Sequence, residues 1–212
     1  MNVVEIGNPR KLATWQEHLQ SISGKYLSED FPDPYFFFAL STLGLPNPEQ
    51  DNQLDEEAMV RGLKTLAKFN DAIHTVFKPH AVTDIERFSE LLKECGYKNY
   101  TIANIHPSIL ARKAVFTIVN YSSTVLVDAS LTGCPTIDFV RYDSRGSHVI
   151  NGESLLKDFV DYFIEGDVVE LENTVQQLLA DNAYRRPDTQ IDRFSIAESQ
   201  AFPIYTFVDL LG

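Results

Sequence analysis

Residues 31–44 read Phe31-Pro-Asp-Pro-Tyr-Phe-Phe-Phe-Ala-Leu-Ser-Thr-Leu-Gly44. Two prolines break the preceding chain, and Tyr35 to Leu40 is then a continuous aromatic and aliphatic run. A strand wetted on one face alternates polar and apolar residues; an unbroken apolar run is what a strand covered on both faces requires. Ser41-Thr-Leu-Gly44 ends it. The polar stretch from Leu45 to Leu54 reads as a long loop, and Asp55 can cap a helix running to about Phe69, with Met59, Leu63, Leu66 and Ala67 on its apolar side.

The alternation then repeats. Ile73 to Phe77 reads as a second strand, and Thr83 or Asp84 as the cap of a helix carrying Ile85, Phe88, Leu91 and Leu92 that ends near Gly96. A short third strand is expected over Tyr100 to Ala103, then a brief helix opened by Pro107. The fourth strand is read at Val115 to Val119, a helix at Ser123 to Thr132, the fifth strand at Pro135 to Val140, and helices at Ser154 to Phe163 and Val168 to Leu179. Strands alternating with amphipathic helices predict an α/β chain with an open parallel sheet and helices on both faces. Before this pattern, Val3 to Ile6 reads as a strand and Leu12 to Ile22 as a helix. Phe194 to Leu211 reads as a final helix that Pro203 interrupts. The expected division is 1–30 as an N-terminal strand and helix, 31–193 as the main domain, and 194–212 as a C-terminal helix.

Composition narrows the function. A 212-residue chain with 44% hydrophobic residues builds one sizeable core. A net charge of −12 with no Lys/Arg run argues against nucleic acid. Cys95 and Cys134 have no metal-ligand spacing and suit a reducing cytoplasm. There is no apolar run near the ~18 residues of a membrane span, and no signal-peptide pattern, so the expected location is cytoplasmic. Neither a Gly-x-Gly-x-x-Gly after a strand nor a Gly-Lys-Ser/Thr phosphate cradle is present. No metal site and no cofactor is expected.

Ligands of open parallel sheets sit beyond the carboxyl ends of the strands. Two segments place polar groups there. Lys78-Pro-His-Ala-Val-Thr83 sets a cation, the His80 imidazole and a hydroxyl just past the second strand. Tyr121-Ser-Ser-Thr-Val-Leu-Val-Asp128 sets three hydroxyl residues at a helix start, where free backbone N–H groups and the helix dipole favour an anion. Asp128 follows about one turn on, where a carboxylate can accept from two ribose hydroxyls. An ordinary loop histidine, a helix cap at Ser122 or Ser123 and a solvated Asp128 are the plainer alternatives.

Val76-Phe-Lys-Pro-His80, followed some forty residues later by Ser122-Ser-Thr-Val-Leu-Val-Asp-Ala-Ser-Leu-Thr-Gly-Cys-Pro-Thr-Ile137, resembles the C-terminal nucleotide-binding domain of GT-B glycosyltransferases. The likeness is to bacterial capsule-polysaccharide, Kdo and sialic acid transferases and to the CDP-glycerol transferases. It runs from about Tyr35 to Val140 and implies a Rossmann-like fold, one half of a GT-B pair. It implies that His80, Ser122, Ser123, Thr124, Ser41 and Lys78 surround a nucleotide phosphate and that Asp128 meets the ribose. Two residues depart from the pattern: Ala81 stands where proline is usual, and Asp128 where many relatives carry glutamate. His106 is a candidate to face the base, with an N-cap role explaining it equally well, and Arg141 and Asp143 are candidates for base or sugar contacts, which a polar surface loop explains equally well. Asp138, Arg145 and His148 fall in the same class.

The resemblance further implies a pyrimidine nucleotide-sugar donor (CMP-, CDP- or UDP-linked) and a role in surface polysaccharide synthesis. In such enzymes the glycan acceptor and the catalytic base belong to an upstream lobe, so this chain is expected to bind donor without transferring sugar alone, and no catalytic residue is assigned. Peripheral membrane association of the full enzyme is compatible with that picture. A non-enzymatic phosphate-binding α/β module and a sugar-nucleotide epimerase of the same architecture are the competing readings.

Overall fold

A computed structural model describes residues 10, 12–40, 52–120, 123–140, 149–150, 153–154 and 156–181. Strand β1 (Tyr35–Ala39) is central, and all five of its residues are buried. It pairs in parallel with β2 (His74–Lys78) on one side and β4 (Thr117–Asn120) on the other. β3 (Tyr100–Ile102) lies outside β2, while β5 (Thr136–Val140) and then β8 (Tyr162–Glu165) lie outside β4. The six parallel strands therefore run β3-β2-β1-β4-β5-β8. The chain builds outward from β1 to β3 and then returns to β1's other flank, so the order reverses between β1 and β4. That reversal opens a crevice beyond the strand ends.

Alternation along β1 sorts its aromatics to two faces. Phe36 and Phe38 join Phe77, Phe116, Ile118 and Phe139 beneath α2 (Asn52–Leu66), α3 (Ile85–Glu94) and α6 (Val168–Ala180). Tyr35, Phe37 and Ala39 join Val76 and Val119 beneath α1 (Ala13–Tyr26), α4 (Pro107–Ala111) and α5 (Val125–Ser130). Phe36 stacks on Phe116 with ring centroids 4.9 Å apart. Burying each such ring stabilises by about 1.5–3 kcal/mol, which is why this aromatic run occupies the sheet centre.

Most helix ends follow local chemistry. Asp84 caps α3 by accepting from the Arg87 N–H, and Gly96 takes the left-handed conformation (φ 88°) just after it. Asp167 caps α6 through the N–H groups of Val169 and Glu170. α2 begins at Asn52, before the expected cap Asp55.

The expected helix over Ser154 to Phe163 does not form. Val149–Ile150 (β6) pairs antiparallel with Glu153–Ser154 (β7), on either side of an Asn-Gly dipeptide, and Tyr162–Glu165 becomes the sixth strand of the sheet. Asn-Gly between short apolar runs is a hairpin signal that outweighs a loose helical spacing. Asp161 secures β8's start, accepting from the Thr136 N–H at 2.8 Å and donating its own N–H to the Thr136 carbonyl at 3.1 Å. The expected strand at 3–6 and helix at 194–211 lie outside the described residues. Among those described, no helix is long and apolar enough to cross a membrane, and both cysteines are free and buried.

Candidate functional site

Register places the site. Lys78 pairs with Ala39, Ala39 with Val119 and Val119 with Asp138, so these four form one row across the sheet near its carboxyl edge. At about 4.8 Å per strand spacing, Lys78 stands roughly 10 Å from Val119. The loops that follow β2 and β4 thus face each other across the end of β1. In a parallel sheet, partners in one row point to one face, and Val76, Ala39 and Val119 pack on the side of α1, α4 and α5.

On that side Asp128, from α5, has a fully buried carboxyl. Its Oδ2 accepts from the Arg10 Nη1 at 2.8 Å, and the same nitrogen donates to the Thr124 hydroxyl at 3.0 Å. The Lys78 ammonium also attracts this carboxyl, and its Oδ1 has no hydrogen-bond partner among the described residues. Burial is the larger influence and pushes the Asp128 carboxyl up to about 6, against the lowering effect of Arg10 and Lys78. Lys78 is itself held below its usual range by burial, with Asp128 pulling the other way. The His106 imidazole is lowered by burial and by the positive charges of Arg10 and Lys78. Two cations, a neutral-leaning imidazole and the Asp128 carboxylate therefore influence one another at this end of the sheet. On a chain of net charge −12, that cluster has a local positive balance.

Arg10 is held from behind. The Gln16 side chain donates to the Arg10 carbonyl at 2.9 Å, and Arg112 donates to the Gln16 carbonyl at 2.8 Å. Gln16 lies on α1 and Arg112 just after α4, so the cation is braced by two helices that pack together. Trp15 on α1, partly exposed, meets the His106 ring edge-on at 6.0 Å.

The structure thus brings Lys78, His106, Thr124 and Asp128 together. His80 follows β2 and is exposed. The Ser123 hydroxyl accepts from the Val125 N–H at 3.3 Å, a local turn contact just before the Thr124 N-cap of α5; a hydroxyl keeps its own O–H to donate. α5 spans only Val125–Ser130, shorter than the helix expected over Ser123 to Thr132, so side-chain cations carry more of the site's positive character than a helix dipole does. His106 caps α4, its Nδ1 accepting from the Ser108 N–H at 3.2 Å. Asp128 is not presented to solvent: Arg10 covers it. Asp138 accepts from the Ser154 hydroxyl at 2.6 Å, tying β5 to the small hairpin. Ser41, Ser122, Arg141 and Asp143 lie outside the described residues, as do Arg145 and His148. Arg10 escaped the sequence reading because its partners lie more than a hundred positions away and no short motif marks it.

No protein-family model matches the chain, and no curated protein does. Solved structures do match. The UDP-GlcNAc 2-epimerase of Methanocaldococcus jannaschii, solved with UDP-GlcNAc and UDP, is 18% identical with a TM-score of 0.51. The match covers 83% of this chain and 48% of that one. The shared fold is α/β and Rossmann-like, an open parallel sheet flanked by helices. Others are the catalytic domain of cholesterol-α-glucosyltransferase from Helicobacter pylori (11% identity, TM-score 0.45, covering 79% of this chain and 98% of that one) and the glycosyltransferase VinC with dTDP (10%, 0.46, 80% and 38%). At these identities the likeness is one of fold. This chain spans less than half the length of the epimerase and of VinC.

Proposed function

We propose that this chain is the donor-binding lobe of a glycosyltransferase, holding the phosphates of a pyrimidine nucleotide-sugar at the crevice between β1 and β4. The observation that carries the reading is the cationic cluster of Arg10 and Lys78 around Thr124 and Asp128 at that crevice, on an otherwise acidic chain. A diphosphate fits such a cluster because charge-assisted hydrogen bonds from guanidinium and ammonium groups are the strong ones, and a planar guanidinium matches phosphate geometry. In this reading His80, Ser123 and Thr124 add donors to the phosphates, joined by Ser41 and Ser122. Asp128 accepts from the ribose hydroxyls, and His106, Arg141 and Asp143 border the base or sugar. The acceptor and the catalytic base come from a second lobe, and the product is a surface polysaccharide.

Calorimetric titration with CMP, CDP, UDP and ADP tests the reading. Binding of a pyrimidine diphosphate in preference to ADP is expected. If no pyrimidine nucleotide binds, the proposal fails. Sugar transfer by this chain alone would refute the assignment of the catalytic base to another lobe.

A further inference from the structure

The N-terminal cation remains to be explained. Arg10 lies 43% exposed above a carboxylate that is wholly buried, and its backbone is fixed by Gln16, which Arg112 holds in turn. A guanidinium in this position has a braced main chain and a side chain that still reaches solvent. Its Nη1 is shared between Thr124 and Asp128, at the mouth of the crevice where the proposed phosphates lie. Arg10 also covers Asp128, a carboxylate with the chemistry to meet a ribose. While this pair stands, Arg10 occupies one acceptor position of Oδ2 and lies between the buried carboxylate and solvent.

We propose that Arg10 is a phosphate-gripping residue that exchanges partners: its guanidinium leaves the Asp128 carboxylate for a phosphate oxygen of a bound nucleoside diphosphate, uncovering Asp128 for the ribose hydroxyls. This deepens the donor-binding reading and rests on it. The exchange replaces one charge-assisted hydrogen bond by another of similar strength, so it needs no large driving force. A diphosphate carries more negative charge than one carboxylate and competes well for a half-exposed guanidinium. Asp128 keeps the attraction of the Lys78 ammonium while Arg10 moves, so its charge is not stranded. Because Gln16 anchors the Arg10 carbonyl, the movement is confined to side-chain torsions and leaves the packing of α1 on α4 intact.

The test is titration of wild type, Arg10→Ala, Arg10→Lys and Asp128→Asn with CDP, inorganic pyrophosphate and cytidine, each beside a thermal melt. Arg10→Ala is expected to weaken CDP and pyrophosphate by about 10- to 100-fold, the range of a lost charge-assisted hydrogen bond, without weakening cytidine. Arg10→Lys should recover part of that loss, since the charge returns without the planar fork. Asp128→Asn should tighten pyrophosphate, whose competitor is gone, and weaken cytidine. Wild type binding CDP and Arg10→Ala binding it equally well overturns the exchange while leaving the donor-binding reading standing. Arg10→Ala binding both CDP and cytidine more tightly also overturns it, making Arg10 an occluding group only. Absence of CDP and pyrophosphate binding in the wild type sinks the underlying reading as well.

Discussion

The Arg10 guanidinium stands 2.8 Å from the Asp128 carboxylate, a contact between residues 118 positions apart. It joins the segment before α1 to the helix that follows β4, and it sets the electrostatics of the crevice. Asp128 takes up protons more readily in the folded chain than a free carboxylate does, with its value raised from 3.8 to about 6 because burial outweighs the neighbouring cations.

That difference gives a pH dependence with a definite sign. The native state binds the Asp128 proton more tightly than the unfolded chain, so the resulting stabilisation is complete below 3.8 and is lost as pH rises through about 6. The span corresponds to roughly 3 kcal/mol. Denaturant melts of wild type and Asp128→Asn from pH 4 to 7 should show the wild type losing stability relative to the variant across this range. His74 and His106, both lowered by burial, titrate nearby with the opposite sign. They are present in both proteins, so the difference curve isolates Asp128. A flat difference curve would remove the buried carboxylate from the account.

Gly62 tests the packing of α2 on the sheet. A Cβ there would stand 2.7 Å from the Phe139 Cε1, and that ring is itself buried. In an exposed helix, glycine to alanine gains about 0.5–1 kcal/mol from propensity. Here overpacking costs about 1–3 kcal/mol and wins. Gly62→Ala should therefore lower the melting temperature, and Gly62→Ala combined with Phe139→Leu should recover part of the loss.

Tyr35 joins the central strand to α4, its buried hydroxyl donating to the Leu110 carbonyl at 2.6 Å. Tyr35→Phe keeps the ring and removes the donor, while the Leu110 carbonyl retains the Ala114 N–H at 3.3 Å. A loss of about 0.5–1.5 kcal/mol in chemical denaturation is expected, with an unchanged circular dichroism spectrum.

What was legible in the sequence depended on range. The run Tyr35 to Leu40 announced a strand covered on both faces because such burial leaves a local mark; its central place comes from pairing on both sides. Asp84, Gly96 and Pro107 announced helix ends because caps act within one turn. Ser154 to Phe163 misled because a short apolar run fits two periods, and only pairing with β5 decides for the strand. The site divided the same way. Thr124 was readable as a residue just past a strand, and Lys78, read as just past the second strand, is that strand's last residue. That Asp128 lies beneath Arg10, and that Arg112 holds the Gln16 which anchors Arg10, depends on contacts across roughly a hundred residues that leave no spacing to detect.

His80 and Ser123 separate a binding contribution from a structural one. His80 is exposed, so His80→Ala should leave the melting temperature unchanged. If His80 donates to phosphate, the variant loses about 1–3 kcal/mol of CDP affinity and none for cytidine. Ser123 behaves differently because its hydroxyl accepts from the Val125 N–H at 3.3 Å. Ser123→Ala removes that acceptor and should cost about 0.5–1 kcal/mol of stability, at the low end for a hydrogen bond because the contact is long. It also removes an O–H donor, so CDP affinity should fall as well, while cytidine affinity holds. Calorimetry with CDP and cytidine, run beside thermal melts of both variants, reads the two effects apart. A Ser123→Ala protein that melts earlier yet binds CDP as the wild type does would mark Ser123 as a local turn contact alone, leaving the phosphates to His80, Lys78 and Arg10.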